Sequence, residues 1–129
     1  MENTSPPTQT KPPETGIAAN DKFSIDGYDG FITVGFYEDG RPCEIFICMQ
    51  SSGSMIEQLF NQVAKLISLL LQYGVPLGEI AKHFDTRRNG NLTINPFVPS
   101  LPDRITGKIL ALVMKASEKQ RSNVLSDTG

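Results

Sequence analysis

Gly27-Tyr28-Asp29-Gly30-Phe31-Ile32-Thr33-Val34-Gly35-Phe36-Tyr37-Glu38-Asp39-Gly40-Arg41-Pro42-Cys43-Glu44-Ile45-Phe46-Ile47-Cys48-Met49 is the stretch on which the fold turns. Over Phe31–Glu38 the apolar residues alternate, with Ile32, Val34 and Phe36 on one face and Phe31, Thr33 and Tyr37 on the other. Side chains two apart share a strand face, so this is a β-strand with one face suited to a core. Ile45, Ile47 and Met49 repeat the pattern over Arg41–Met49. Asp39-Gly40 between them is a tight-turn signal, because glycine takes positive φ at little steric cost. Gly35 leaves a gap in mid-strand, a place for a bulge or a close backbone approach. Phe23–Ile25 is expected as a short strand ahead of this hairpin.

After Met49 the period changes from two to about 3.6. Ser54-Met-Ile-Glu57 has the spacing of a capping box. The helix it opens is expected to run to about Tyr73 and stop at Gly74, ahead of Val75-Pro76. Met55, Leu59, Val63, Leu66 and Leu70 form an apolar stripe, and Ile56, Phe60, Ile67 and Leu71 widen it beyond one face. A helix this apolar in so small a unit is either central or shared with a second subunit, and a homodimer is expected. A short helix from Leu77 to about Phe84 follows, with Pro76 suited to its first turn. Residues 85–100 show no periodicity. A last helix begins near Ser100 or Leu101, with Leu101, Ile105, Ile109, Leu112 and Ala116 facing inward. The expected fold class is α+β: a small antiparallel sheet packed against two to three helices.

A chain of 129 residues forms one domain at most. Residues 1–20, with Pro6, Pro7, Pro12 and Pro13 among Thr, Gln and Lys, read as a disordered tail, because they offer little to bury against their ordering entropy. The folded unit is expected over residues 21–118 and a frayed tail over 119–129. A net charge of −2 argues against a general nucleic-acid-binding surface. No stretch approaches the ~18 apolar residues of a membrane span, and the polar start lacks the apolar core of a signal peptide. A cytoplasmic setting is the expectation. Cys43 and Cys48 are five apart on one strand, which points them to opposite faces, so they are expected to stay unpaired.

Three segments resemble the TSCPD-type domain at the C-terminus of adenosylcobalamin-dependent ribonucleotide reductases. In that family the hairpin reads roughly Gly-Tyr-Ile-Thr-Val-Gly-x-Tyr-Glu-Asp-Gly-x-Pro-x-Glu-Ile-Phe-Ile, which Gly30–Ile47 follows. Leu71-Gln72-Tyr73-Gly74-Val75-Pro76-Leu77 resembles the family's Leu-Gln-Tyr-Gly-Val-Pro-Leu. Pro99-Ser100-Leu101-Pro102-Asp103 resembles the Thr-Ser-Cys-Pro-Asp signature, with Leu101 in the place of the cysteine. The resemblance covers about residues 21–116. The reductase's radical cysteines, substrate barrel and cobalamin site have no counterpart here.

The residues themselves carry no nucleophile–base pair, phosphate loop or metal-ligand spacing, so neither catalysis nor a cofactor or metal is expected. His83 closes a short helix, where an imidazole complements the dipole. The constellation that suggests ligand chemistry is Arg87, Arg88, Asn89, Asn91, Asn95 and Phe97, leading into Ser100, Arg104 and Lys108. Cations, amides and a helix start can hold an anion, and Phe97 or Phe84 can stack on a base. The leading expectation is a non-enzymatic module binding a small nucleotide-type ligand, sensing or sequestering a nucleotide signal as phage anti-defence proteins do. The alternative is an accessory domain that docks on a ribonucleotide reductase.

Overall fold

The computed structural model describes residues 7–25, 27–50, 53–84 and 101–128. In chain order it contains β1 (Ala18–Ile25), β2 (Tyr28–Phe36), β3 (Pro42–Met49), α1 (Met55–Gln72), α2 (Leu77–His83) and α3 (Leu101–Thr128). The strands form one antiparallel sheet in the order β1-β2-β3. This is the α+β arrangement that the hydrophobic periods imply.

The hairpin follows its sequence. Gly40 has φ +93°, its N–H bonds Tyr37 O at 2.9 Å, and Tyr37 N–H bonds Arg41 O at 2.9 Å. That is a three-residue connection with glycine in the left-handed position. The register shifts between Gly35 and Phe36, which leaves Cys43 as the extra residue of β3 and puts the bulge beside the glycine that signalled it. Gly30 is fixed by crowding: a Cβ there would lie 2.8 Å from Cys48 O and 2.9 Å from Phe23 Cζ. Its bareness lets the Phe23 ring stack on Phe60, centroids 5.3 Å apart.

Ile32, Val34, Phe36, Cys43, Ile45, Ile47 and Met49 are buried on the inner face of the sheet. Against them lie Ile56, Phe60, Ala64, Ile67 and Leu71 of α1, Ile80 of α2, and Ile105, Ile109, Leu110, Leu112 and Val113 of α3. Ile105, Ile109 and Leu112 are the inward residues that the sequence pattern marks, with Ala116 half-buried beside them. The broad stripe of α1 is in fact two. Its sheet-facing residues are Ile56, Phe60, Ala64, Ile67 and Leu71, whereas Met55, Leu59, Leu66 and Leu70 are exposed and Val63 lies between.

α1 starts and stops by local chemistry. Ser54 Oγ accepts from Glu57 N–H at 3.2 Å, as a capping box requires. Glu57 returns not to Ser54 but to Gly53 N–H at 2.8 Å and Met49 N–H at 2.9 Å. At the other end Gly74 N–H bonds Leu71 O and Val75 N–H bonds Leu70 O, both at 3.0 Å, with Gly74 at φ +93°. This is a Schellman stop, and Pro76 then caps α2.

Three boundaries differ from the sequence expectation. β1 begins at Ala18, not Phe23, because pairing with β2 from Ala18↔Gly35 onward outweighs the weak strand propensity of Ala-Ala-Asn-Asp. Upstream, residues assigned to a tail are bonded to the domain: Thr10 N–H to Gln72 O at 2.9 Å, Gln9 Nε2 to Gln72 Oε1 at 2.6 Å, and Tyr37 O–H to Thr10 O. α3 continues to Thr128 through the stretch expected to fray; no Gly or Pro follows Gly107 until Gly129, and Gln120 is buried.

Candidate functional site

The sheet has a second face. Lys22, Phe31, Phe46 and Cys48 are exposed on it, with Thr33 and Glu44 half-buried among them. The strand period dictates this, because each alternates with a core residue. The register sets Lys22 opposite Phe31, Phe31 opposite Cys48, and Thr33 opposite both Asn20 and Phe46. Thr33 Oγ1 donates to Asn20 Oδ1 at 2.6 Å and ties β1 to β2 on this side. Phe31 and Phe46 are diagonal neighbours, within reach of one another across the strands. They are 47% and 56% exposed.

At one end of the face a solvent-open depression of about 450 Å³ is lined by Lys22, Phe23, Ser24, Asp29, Gly30, Phe31 and Gln50. The Lys22 ammonium stands 6.0 Å from the centroid of the Phe31 ring. An aromatic platform with a cation at its rim can receive a flat ring that carries negative charge.

The hairpin tip offers less, because its groups are mutually engaged. Arg41 lies over the Tyr37 ring at 4.9 Å and pairs with Asp39 at 2.7 Å. The Arg41 N–H bond chiefly, together with the guanidinium, holds the Asp39 carboxyl below its usual range. Burial pushes the Tyr37 phenol up, so it remains a donor to Thr10 O. Burial likewise pushes the Cys43 thiol up to about 11, so it stays protonated and inert at neutral pH. Cys48 is exposed and Cys43 buried, on opposite faces and unpaired, as the odd spacing requires.

Of the ligand residues that the sequence suggests, Arg87, Arg88, Asn89, Asn91, Asn95, Phe97 and Ser100 lie outside the described residues. Arg104 and Lys108 are half-buried on successive turns of α3, and Arg104 already has an interaction partner. Phe84 is exposed beyond α2, where His83 pairs with Glu79 at 3.3 Å. Among the described residues no group of three His, Cys, Asp or Glu could hold a metal ion, and no helix is long and apolar enough to cross a membrane.

The feature that sequence reasoning misses is a polar ladder on α1. β3 is a sheet edge, so its outward N–H and C=O groups need partners. Ile45 N–H donates to Ser68 Oγ at 3.0 Å, Ile47 N–H to Asn61 Oδ1 at 3.3 Å and Met49 N–H to Glu57 Oε2 at 2.9 Å. Gln72 Nε2 donates to Cys43 O at 2.9 Å. Glu57, Asn61, Ser68 and Gln72 fall on one side of the helix, around the small Ala64, and together stand in for a fourth strand. The two N–H bonds that Glu57 accepts hold its carboxyl below the usual range. The signal was polar residues at helical spacing beside a core stripe.

The TSCPD domain model matches residues 6–114. The chain is 40% identical over 82 residues to a vitamin B12-dependent ribonucleotide reductase of Rhodopirellula baltica, covering 64% of this chain and 8% of that protein. It is 37% identical over 78 residues to the enzyme of the same description from Bradyrhizobium diazoefficiens, covering 60% and 6%. A third, from Agrobacterium fabrum, is 41% identical over 63 residues, covering 49% and 5%. The chain thus spans less than a tenth of the length of these relatives. No solved structure matches it. With the hairpin, the Gln72–Pro76 helix stop and a domain match that covers most of its length, the chain belongs to the TSCPD family.

Proposed function

We propose that the chain is a non-enzymatic docking module that sits on a ribonucleotide reductase polypeptide, with the open sheet face as its contact surface. The observation that carries this reading is the exposed pair Phe31 and Phe46 on a face that no described helix covers. Exposed aromatics with a polar rim of Lys22, Asn20 and Glu44 have the composition of an interface centre. The relatives support the choice of partner, since each carries the matching segment within a much larger reductase. The test is a pull-down with a vitamin B12-dependent reductase truncated of its own matching segment. Wild type is expected to be retained and Phe46→Glu lost. Equal retention of both, or of neither, would sink the reading.

A second reading is a nucleotide-type ligand on the same module, sensed or sequestered without turnover. The Lys22 ammonium beside the Phe31 ring, at the rim of the depression, favours it. Calorimetry with cyclic and linear nucleotides distinguishes the two candidate places for the ligand. Lys22→Ala is expected to weaken binding roughly tenfold to a hundredfold if the depression holds the anion, and Arg104→Ala if the start of α3 does, since a charge-assisted contact contributes about 1.5–3 kcal/mol. Nucleotide recovered chemically unchanged is the expected companion result. Conversion lost on mutating one residue would overturn the non-enzymatic assignment.

A further inference from the structure

The outer side of α1 is the largest concentration of exposed apolar side chains among the described residues. Met55 is 77% exposed, Leu66 61%, and Leu59, Leu69, Leu70 and Tyr73 between 37% and 42%. None of them belongs to the core cluster. Six large side chains at these exposures make a patch on the order of 500 Å², at the upper end of what a monomer leaves in one place.

Their order along the chain identifies the occupant. Met55, Leu59, Gln62, Leu66, Leu69 and Tyr73 follow one another at alternating steps of four and three residues. That alternation is the seam of a helix packed lengthwise on another helix, with each side chain set in a hole of the partner. A strand or an irregular peptide would have no use for it. The sheet-facing stripe of the same helix, Ile56, Phe60, Ala64, Ile67 and Leu71, is a separate set, so the seam is free of the fold's own needs.

We infer that α1 pairs with α1 of a second copy of this chain, along a two-fold axis through this seam. Charge supports self-pairing over a foreign helix. α1 has two charged residues; Glu57 is turned to β3, which leaves Lys65 alone on the outer side. Such a surface carries no charge pattern with which to select a different partner, whereas a two-fold axis makes it complementary to itself. Two paired patches bury about 1,000 Å² in total, just below the low end of stable specific interfaces, so the dimer is a weak, concentration-dependent one. Gln62 sits in mid-seam, where a polar side chain fixes register and lowers affinity. This surface is distinct from the open sheet face and stands or falls independently of the docking reading.

Sedimentation of the full chain from low to high micromolar concentration is the test. Wild type is expected to pass from monomer to dimer across that range, and Gln62→Leu to shift the transition to lower concentration. Leu66→Glu, which places a charge in each half of the seam, is expected to raise the dimer dissociation constant roughly a hundredfold. Met55→Glu, at the most exposed position of the seam, serves as the second variant, with circular dichroism and melting temperature of both required to match wild type in dilute solution. A wild type monomeric at every concentration overturns the proposal. So does a dimer that the folded Leu66→Glu and Met55→Glu variants leave intact, since the interface would then lie elsewhere.

Discussion

Two stripes of α1 lie one residue apart and meet opposite fates. Ile56, Phe60, Ile67 and Leu71 are between 0% and 8% exposed; their predecessors Met55, Leu59, Leu66 and Leu70 are between 41% and 77% exposed. The chemistry is nearly the same, and position alone decides. A step of one residue turns a helix by about 100°, which here is the difference between the sheet and solvent. Apolar character alone therefore does not place a residue in the core, and the sheet-facing set is the one buried in the monomer.

The sharpest way to break the comparison is to truncate neighbours. Phe60 is fully buried and stacked on Phe23, so Phe60→Ala should cost about 3–5 kcal/mol and leave little folded protein. Leu59→Ala should move monomer stability by less than about 0.5 kcal/mol. Urea denaturation of both in dilute solution checks this, and similar losses would show that the outer stripe is part of the core.

A smaller effect tests the polar side of the inner face. Ser68→Ala leaves the buried Ile45 N–H without a partner, at about 1–3 kcal/mol. Hydrogen exchange should localise the loss to the amides of β3. An unchanged protection factor at Ile45 would mean that another group had taken over.

Truncation at the N-terminus comes next. Removing residues 1–6 should leave the melting temperature unchanged. Removing residues 1–17 also deletes the Thr10 and Gln9 bonds to Gln72 and the Ile17 carbonyl that accepts from Phe36 N–H. At about 0.5–1.5 kcal/mol for each net hydrogen bond, the longer deletion should lower the melting temperature measurably. Equal melting of the two deletions would restore the view that this segment is a passive tail.

The smallest effect expected is with acid. Glu57 and Asp39 both have folded-state pKa values below their ordinary ones, 4.5 and 3.8. A depressed carboxyl contributes stability that is fully present above its unfolded pKa and lost as pH falls through its folded one. Stability should therefore decline below about pH 4.5, and Glu57→Gln should flatten the upper part of that decline while Asp39→Asn affects only the lower. An acid limb identical in wild type and Glu57→Gln would show that the Met49 and Gly53 bonds do not depend on charge.

The same contrast explains what the chain discloses to a reader of sequence. Hairpin, capping box and Schellman stop are all local: each depends on residues within a few positions, so Asp39-Gly40, Ser54 and Gly74 suffice. Which half of α1 faces the sheet is not local, because apolar residues ring most of the helix and the period alone cannot choose. Ser68 and Gln72 read as ordinary polar positions until an edge strand is known to lie beside them. Ala18–Asp21 becomes strand through its partner, not through its own propensity. The ligand residues from Arg87 to Ser100 lie outside the described structure, so only the Arg104 and Lys108 end of that reading meets geometry.

The ladder from α1 to β3 has a consequence for where such a domain can live. A bare sheet edge recruits other strands and seeds aggregation, a hazard that grows when a domain is carried into new company. With the β3 amides occupied by Glu57, Asn61 and Ser68, the edge left among the described strands is β1, which carries Asp21 and Lys22 in its middle. A β3 edge closed in this way offers a neighbouring chain little to pair with, whatever polypeptide carries it. Four side chains of one helix make the module portable.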